Sequence, residues 1–169
     1  MKYKTILNVF AIIIAVTLFA SLFVGHSEYY NKYEKYKYGF IPYYSTIDKK
    51  CSKKDREKAQ EIINLAGKIM TDTLGSAPEN AGELVCYAVN ESFSDAKPKR
   101  VEAKINLITA DFSLGGGYMW VECTRQAFDQ NNSVVEEKES LAYWKLKKQN
   151  NNWTVVKVKE VQNKNATVL

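Results

Sequence analysis

Histidine and closely spaced cysteines are almost absent from this sequence. The chain of 169 residues has one histidine, His26, and three cysteines, Cys51, Cys86 and Cys123, with no Cys-x-x-Cys pair. A zinc site needs about four nitrogen or sulfur ligands at close spacing, so the sequence predicts no metal site and no cofactor. Ser-His-Asp or Cys-His catalysis would depend on His26, which adjoins a long apolar run, and both are therefore disfavoured.

The three cysteines leave two interpretations open. Cys86 and Cys123 can pair if the fold brings them together, which leaves Cys51 over. We favour three unpaired thiols, two of them small core residues, because free cysteine behaves as a small hydrophobic side chain.

The C-terminal part also lacks an excess of charge of either sign. Residues 61–169 carry thirteen lysines and arginines against fourteen acidic residues, whereas residues 26–60 carry nine against five. A nucleic-acid-binding protein typically has a basic stripe on its folded domain, so the sequence predicts no nucleic-acid partner.

One long apolar run is present. Residues 6–25, ILNVFAIIIAVTLFASLFVG, contain no charged residue, and a helix of this length matches a hydrocarbon core of about 30 Å. We assign residues 1–25 to an uncleaved signal anchor that spans a bilayer. A cleaved signal peptide with Lys2 and Lys4 in its basic region, or a buried helix of a soluble protein, are the alternatives. Lys2 and Lys4 favour an N-terminus inside, whereas Lys32, Lys35 and Lys37 on the other flank oppose it. We choose the N-terminus inside and the C-terminal domain outside the cytoplasm, because a short N-terminal tail is easily retained.

The linker at residues 26–50 is rich in tyrosine and lysine. Tyrosine rings favour the membrane–water interface, and lysines attract anionic headgroups. We predict a membrane-interface segment, with a solvated linker as the alternative. Its predicted interface residues are Tyr29, Tyr30, Tyr33, Tyr36, Lys32, Lys35 and Lys37.

Residues 51–161 have the pattern of one α+β domain. Ser52-x-x-Asp55 and an apolar stripe predict a helix over 53–74, ending at Gly75, and a second helix is expected over 78–92. Alternating segments then predict a four-stranded antiparallel sheet with a bulge near Ile108, and the first helix covers one face of this curved sheet. The predicted strands are 101–112, 118–129, 139–148 and 152–161, and residues 162–169 are expected to form a disordered tail.

The segments GGGYMWVECTRQAFD and AYWKLKKQNNNWTVVKVKE, in this element order, resemble the nuclear-transport-factor-2-like, cystatin-like superfamily. The resemblance covers about residues 53–161 and extends to extracytoplasmic, membrane-anchored bacterial members with a tryptophan-bearing terminal hairpin, as around Trp144 and Trp153. It implies a sheet curled around a helix into a cone with a pocket. It also implies functions that range from isomerases to assembly factors of type IV secretion machines.

Three residues are weak catalytic candidates, namely Asp111, Tyr118 and Glu122. In a cone fold, alternating strand residues line the pocket, and a desolvated carboxylate beside a tyrosine can abstract a proton next to a carbonyl. The alternative is that both carboxylates face water and Tyr118 packs. Gly115-Gly116-Gly117 lies between two strands, which favours a hairpin turn over a phosphate loop. The acidic run Glu136, Glu137 and Glu139 favours a solvated loop or strand entry over a cation site.

The function expected from these observations is that of a bacterial, membrane-anchored, extracytoplasmic, non-enzymatic domain with the lipid bilayer and a protein of the cell envelope as partners. One alternative is an assembly component of a conjugation or type IV secretion channel. Another is a small-ligand-binding or isomerase-like protein, and a further one is a secreted form after signal cleavage.

Overall fold

The computed structural model describes residues 46–47, 49–74, 77–93, 95 and 97–162. The predicted signal anchor, the interface tyrosines and lysines, and residues 163–169 of the predicted tail lie outside these residues. Within the described part, no helix has the length and apolar character that crossing a bilayer requires. The elements are α1 (Lys53–Thr71), a 3₁₀ helix (Glu79–Tyr87), α2 (Val89–Ser92), β1 (Arg100–Ser113), β2 (Gly116–Phe128), β3 (Val134–Gln149) and β4 (Asn152–Gln162).

Helix α1 begins where its cap was predicted and ends three residues early. The Ser52 hydroxyl accepts a hydrogen bond from the Asp55 amide at 3.1 Å, which satisfies one of the unpaired amides of the first turn. At the other end, Asp72 has extended backbone, and its carboxylate accepts from the Leu74 amide at 2.8 Å. This local bond competes with the helix, so Leu74 lies in solvent and not in the apolar stripe. The buried residues of α1 are Ala59, Ile62, Ala66, Ile69 and Met70.

The helix predicted over 78–92 is not one continuous α-helix in the structure. The segment is helical, but it consists of a 3₁₀ helix and one short α-helical turn. Gly82 has φ 54° and ψ −139°, a conformation essentially confined to glycine. A Cβ atom at Gly82 would lie 2.4 Å from the Val155 carbonyl oxygen. The chain breaks at Gly82 because its backbone packs directly against the edge strand β4.

The sheet is an antiparallel meander in the order β1-β2-β3-β4. The register between β1 and β2 shifts between Leu107 and Thr109, which confirms the predicted bulge at Ile108. A second shift, which the sequence did not predict, leaves Val156 of β4 opposite no residue of β3. Strand β3 begins at Val134 and not at 139, so the acidic run Glu136, Glu137 and Glu139 belongs to a strand.

Two tight turns close the hairpins. The register pairs Ser113 with Gly116, and Gly115 has φ 80°, so the glycine run forms the predicted hairpin turn. Asn150 and Asn151 have φ 47° and 67°, which is the backbone of the primed turns that join two-residue hairpins.

Different segments of the chain pack on the two faces of the sheet. We call the face that contacts α1 the inner face and the opposite one the outer face. The inner-face core joins α1 and the 3₁₀ helix to side chains of all four strands, including Ala110, Met119, Trp144 and Val155. This arrangement confirms the predicted α+β class, with helices on a four-stranded antiparallel sheet. Antiparallel partners share a face and successive residues alternate, so the register assigns every strand residue to one face.

Candidate functional site

A short segment before α1 lies across the outer face of the sheet. We call Thr46, Ile47, Lys49 and Lys50 the strap. Trp120 donates from Nε1 to the Thr46 hydroxyl at 2.9 Å, and Ile47 is buried. The Lys49 carbonyl accepts from the Thr109 hydroxyl at 2.6 Å. These bonds hold the strap on strands β1 and β2, 60 to 74 residues further along the chain.

Aromatic rings under and beside the strap form a contiguous group on the outer face. Tyr118 and Tyr143 stack with ring centroids 5.9 Å apart, and Trp120 meets Tyr143 edge-on at 5.2 Å. Trp120 is fully buried and Tyr143 is nearly so. The other two tryptophans also pack within the domain, since Trp144 is equally buried on the inner face and Trp153 packs edge-on against Phe112 at 4.9 Å.

The three weak catalytic candidates lie on this outer face. Asp111 and Tyr118 are direct partners across β1 and β2, and Glu122 pairs with Asn106 further along. Burial, and secondly the negative charge of Asp111, raise the pKa of Tyr118. All three are half-buried. The structure therefore brings Asp111 and Tyr118 together on the outer face, which is the face away from α1.

Four exposed lysines cover the neighbouring half of the outer face. Lys145 on β3 and Lys157 on β4 are direct partners, Lys159 lies opposite Tyr143, and Lys147 lies opposite Thr154. All four side chains are exposed. Lys49 of the strap lies with its Nζ atom 5.9 Å from the centre of the Tyr118 ring, and Tyr118 is in turn the partner of Lys145. We call Lys49, Lys145, Lys147, Lys157 and Lys159 the lysine patch.

A second polar group lies on the inner face, beside the 3₁₀ helix and α2. Arg125 donates from Nη2 to Glu160 Oε1 at 2.9 Å and from Nη1 to the Ser92 hydroxyl at 2.9 Å. Its guanidinium lies 4.9 Å from the centre of the Tyr87 ring. The Arg125 Nε atom and the Ser140 hydroxyl are buried and have no hydrogen-bond partner. This group links the sheet to the segment 87–92, and its polar atoms are not all satisfied.

Two cysteines lie near the Arg125–Glu160 pair. Burial raises the pKa of the Cys123 thiol to about 12. The positive charge of Arg125 lowers this pKa, and the negative charge of Glu160 raises it. The pKa of the Cys86 thiol is raised to about 11, first by partial burial of the thiol and then by the negative charge of Glu160. The residue as a whole is exposed. Cys51, Cys86 and Cys123 are all free thiols, in agreement with the favoured interpretation; Cys123 and Cys51 contact the core, and Cys86 is exposed.

No group of three potential ligands among the described residues could hold a metal ion. The acidic run is engaged in local pairs, since Glu136 lies 3.1 Å from Lys138 and Glu137 accepts from Gln126 at 2.7 Å. The run therefore lies within strand β3 with half-buried side chains, and not in the solvated loop or strand entry that was expected.

Arg125 and the lysine patch are functional candidates that were not predicted from the sequence. Arg125 lies in an alternating strand among polar neighbours, and nothing in the sequence distinguishes it from an exposed arginine. The lysines do leave a signal, because Lys145 and Lys147 alternate at the strand period, as do Lys157 and Lys159. Charge counting missed this signal since it ignores which face a residue occupies.

Comparisons with known proteins add a likeness in fold. No protein-family model matches the chain, and no curated protein matches it. One similar solved structure is a domain of unknown function with a cystatin-like fold from Nostoc punctiforme PCC 73102. The two share 11% sequence identity, over 65% of this chain and 78% of that chain, with a TM-score of 0.45. A likeness of this size concerns the fold alone, and nothing about function follows from it.

Proposed function

We propose that this chain is a single-span bacterial membrane protein whose C-terminal α+β domain lies outside the cytoplasm and binds a protein of the cell envelope without catalysing a reaction. The sequence of residues 6–25 supports the span, because it has the length and composition of a transmembrane helix and no charged residue. Lys2 and Lys4 support an N-terminus inside.

The position of the strap supports a tethered domain. The strap lies on the outer face, where Thr109 and Trp120 hold it. The C-terminal end of the predicted linker is thus bound to the folded domain.

Binding is favoured over catalysis because the candidate catalytic residues are separated from the space between α1 and the sheet. Asp111, Tyr118 and Glu122 belong to the outer face, while apolar side chains such as Met119, Trp144 and Met70 fill the region between α1 and the sheet. A general base needs a substrate within hydrogen-bond reach in a water-poor site, and half-buried carboxylates on the outer face do not provide this.

Membrane anchoring is tested by alkaline extraction of native membranes. We expect the full-length protein to stay in the membrane pellet, and its release into the soluble fraction would rule out the anchor. A mature N-terminus near Glu28 would instead establish a secreted form.

The side of the membrane is tested with Leu114→Cys in a background where Cys51 and Cys86 are serine. Leu114 is the tip of the β1–β2 hairpin and is fully exposed, so a membrane-impermeant maleimide should label it in intact spheroplasts. Labelling only after lysis would place the domain in the cytoplasm. Cys123 is buried and serves as the internal negative control.

The partner is tested by photo-cross-linking of the full chain in living cells. A photoreactive residue at Leu114 or Asn131 samples the hairpin ends, and one at Glu57 samples the exposed side of α1. A discrete adduct with an envelope protein at one of these sites supports the proposal, and the identity of that protein decides whether the domain belongs to a secretion channel. Absence of an adduct at all three sites would contradict the proposed protein partner.

A further inference from the structure

The lysine patch defines a surface with a specific chemistry, and we infer that it binds the anionic headgroups of the bilayer in which the chain is tethered. This inference rests on the proposed membrane anchor, and it assigns the outer face a lipid partner that is distinct from the protein partner proposed above.

The arrangement of charge on the outer face is the first argument. Lys145 and Lys157 are direct cross-strand partners, and like charges in this position destabilise a sheet. None of the five lysines forms an ion pair within the described part of the chain. The acidic residue in the same row, Asp111, lies two strands away beyond Tyr118. Four of these lysines thus concentrate unpaired positive charge on one face within residues 61–169, which as a whole are nearly neutral.

Protection of a sheet edge does not explain the patch. Lysine on an edge strand discourages pairing with other chains, and Lys157 and Lys159 lie on the edge strand β4. Lys145 and Lys147, however, lie on β3, which has hydrogen-bonded neighbours on both sides. Their backbone is already paired, so an anti-aggregation role does not account for them.

The chemistry of the patch fits lipid headgroups better than nucleic acid. Two of the three rings in the aromatic group are not available as stacking platforms, because Trp120 is 0% and Tyr143 is 8% exposed. The third, Tyr118, is half-buried and already stacked on Tyr143, whereas single-stranded nucleic acid is bound largely by stacking on free rings. The patch is built from lysine alone, whose ammonium is a compact point charge, and not from arginine, which grips phosphate through paired bonds. Point charges spread over a sheet face suit a diffuse anionic surface.

The strap supplies the second, independent argument. Lys49 belongs both to the patch and to the segment that connects the sheet to the N-terminal part of the chain. The face that carries the lysines is thus also the face on which the strap lies. A bilayer is accordingly the anionic surface that this face meets at high effective concentration.

Lysine footprinting of the full-length protein tests the inference. The protein is reconstituted into vesicles of phosphatidylcholine alone, or of phosphatidylcholine with phosphatidylglycerol, and acetylated briefly before mass spectrometry. We expect Lys145, Lys147, Lys157 and Lys159 to react about fivefold more slowly in the anionic vesicles. Attraction of one lysine to an anionic surface contributes about 1 kcal/mol, which corresponds to this factor. The protection should vanish in about 0.5 M salt, where screening acts over a few ångströms. Lys53 and Lys54 on α1 are the exposed internal controls.

A charge-reversed pair provides the matched variant. Lys145→Glu with Lys157→Glu should abolish the protection of Lys147 and Lys159, whereas Lys53→Glu with Lys54→Glu should leave it unchanged. Should the reversed pair fail to fold by circular dichroism, Lys145→Gln with Lys157→Gln removes the charge without adding repulsion. Equal reactivity in both vesicle types, or protection by duplex DNA and not by anionic vesicles, would overturn the inference.

The two proposals fail in different ways. Release of the chain from both vesicle types at alkaline pH would overturn the anchor. Retention in both types without protection of the lysines would overturn the lipid contact and leave the anchor standing.

Discussion

Arg125 and Glu160 form an ion pair at 2.9 Å, in which the side chains are 3% and 19% exposed. The two residues belong to different strands, β2 and β4, and β3 lies between them. Arg125 also donates to Ser92, so one guanidinium joins the sheet to the short helix α2. Its cross-strand partner Lys138 carries the same charge, but Lys138 is turned to Glu136 and to the Ser92 carbonyl.

Removal of one member of this pair should destabilise the domain more than removal of both. We expect Glu160→Ala to lower the free energy of unfolding by about 3–5 kcal/mol, because it leaves a buried guanidinium without a counter-charge. Arg125→Met combined with Glu160→Leu should cost less than the single change. Denaturant unfolding of the full-length protein measures both values. A double variant at least as unstable as Glu160→Ala would mean that the pair is not coupled.

Gly82 should tolerate no side chain. Gly82→Ala places a methyl group against the Val155 carbonyl and forces a backbone conformation that costs about 1–3 kcal/mol by itself. Gly67→Ala is the matched control, because nothing lies within 4 Å of a Cβ atom there and alanine in a helix gains about 0.5–1 kcal/mol over glycine. The midpoint temperature of thermal unfolding should fall for Gly82→Ala and rise for Gly67→Ala. A shift of both midpoints in the same direction would contradict the close approach of Gly82 to β4.

The strap should loosen when its buried hydroxyl contact is removed. Thr109→Val deletes the donor to the Lys49 carbonyl, a bond worth about 1 kcal/mol. Trypsin should then cleave after Lys49 or Lys50 about fivefold faster, since cleavage follows the population of the open strap. Thr109→Ser keeps the hydroxyl and should behave like the natural protein. Unchanged cleavage in Thr109→Val would show that this bond does not hold the strap.

Stability should fall in alkali. Burial raises the pKa of Cys123 from 9.0 to about 12, and that of Tyr87 well above 10. Between pH 9 and 12 the unfolded chain loses the Cys123 proton while the folded chain keeps it, so the folded state is progressively disfavoured. For Cys123 alone the slope is about 1.4 kcal/mol per pH unit in this window.

The measurement is the denaturant midpoint from pH 8 to 11 for the natural protein and for Cys123→Ala. The variant should begin less stable near pH 8, because it lacks a buried sulfur, and should decline less steeply above pH 9. Parallel curves would show that the pKa of this thiol does not differ between the folded and unfolded states.

Elements with a strong local signal were predictable from the sequence. The Ser52 cap, the stripe of α1, the bulge at Ile108 and the Asn150–Asn151 turn all depend on residues close in the chain, and the structure has each of them. The alternation within the strands was also enough to place α1 over one face of an antiparallel sheet.

Features that depend on distant contacts were not predictable. The break at Gly82 exists because β4 approaches the 3₁₀ helix, and residues 78–92 alone have an ordinary helical pattern. Arg125 is buried because Glu160 and Ser92 reach it from other elements. The near-neutral composition of residues 61–169 concealed the lysine patch, because only the pairing of β3 with β4 gathers lysines from two segments on one side.

The strap also determines how the domain would respond to mechanical load. Any pull applied from the N-terminal side of Thr46 reaches the sheet first through Trp120 and Thr109, and only then α1. Strands β1 and β2 are held to each other along most of their length, so such a force is distributed over a long ladder of bonds. The first event under tension would then be peeling of the strap, with the core behind it left intact.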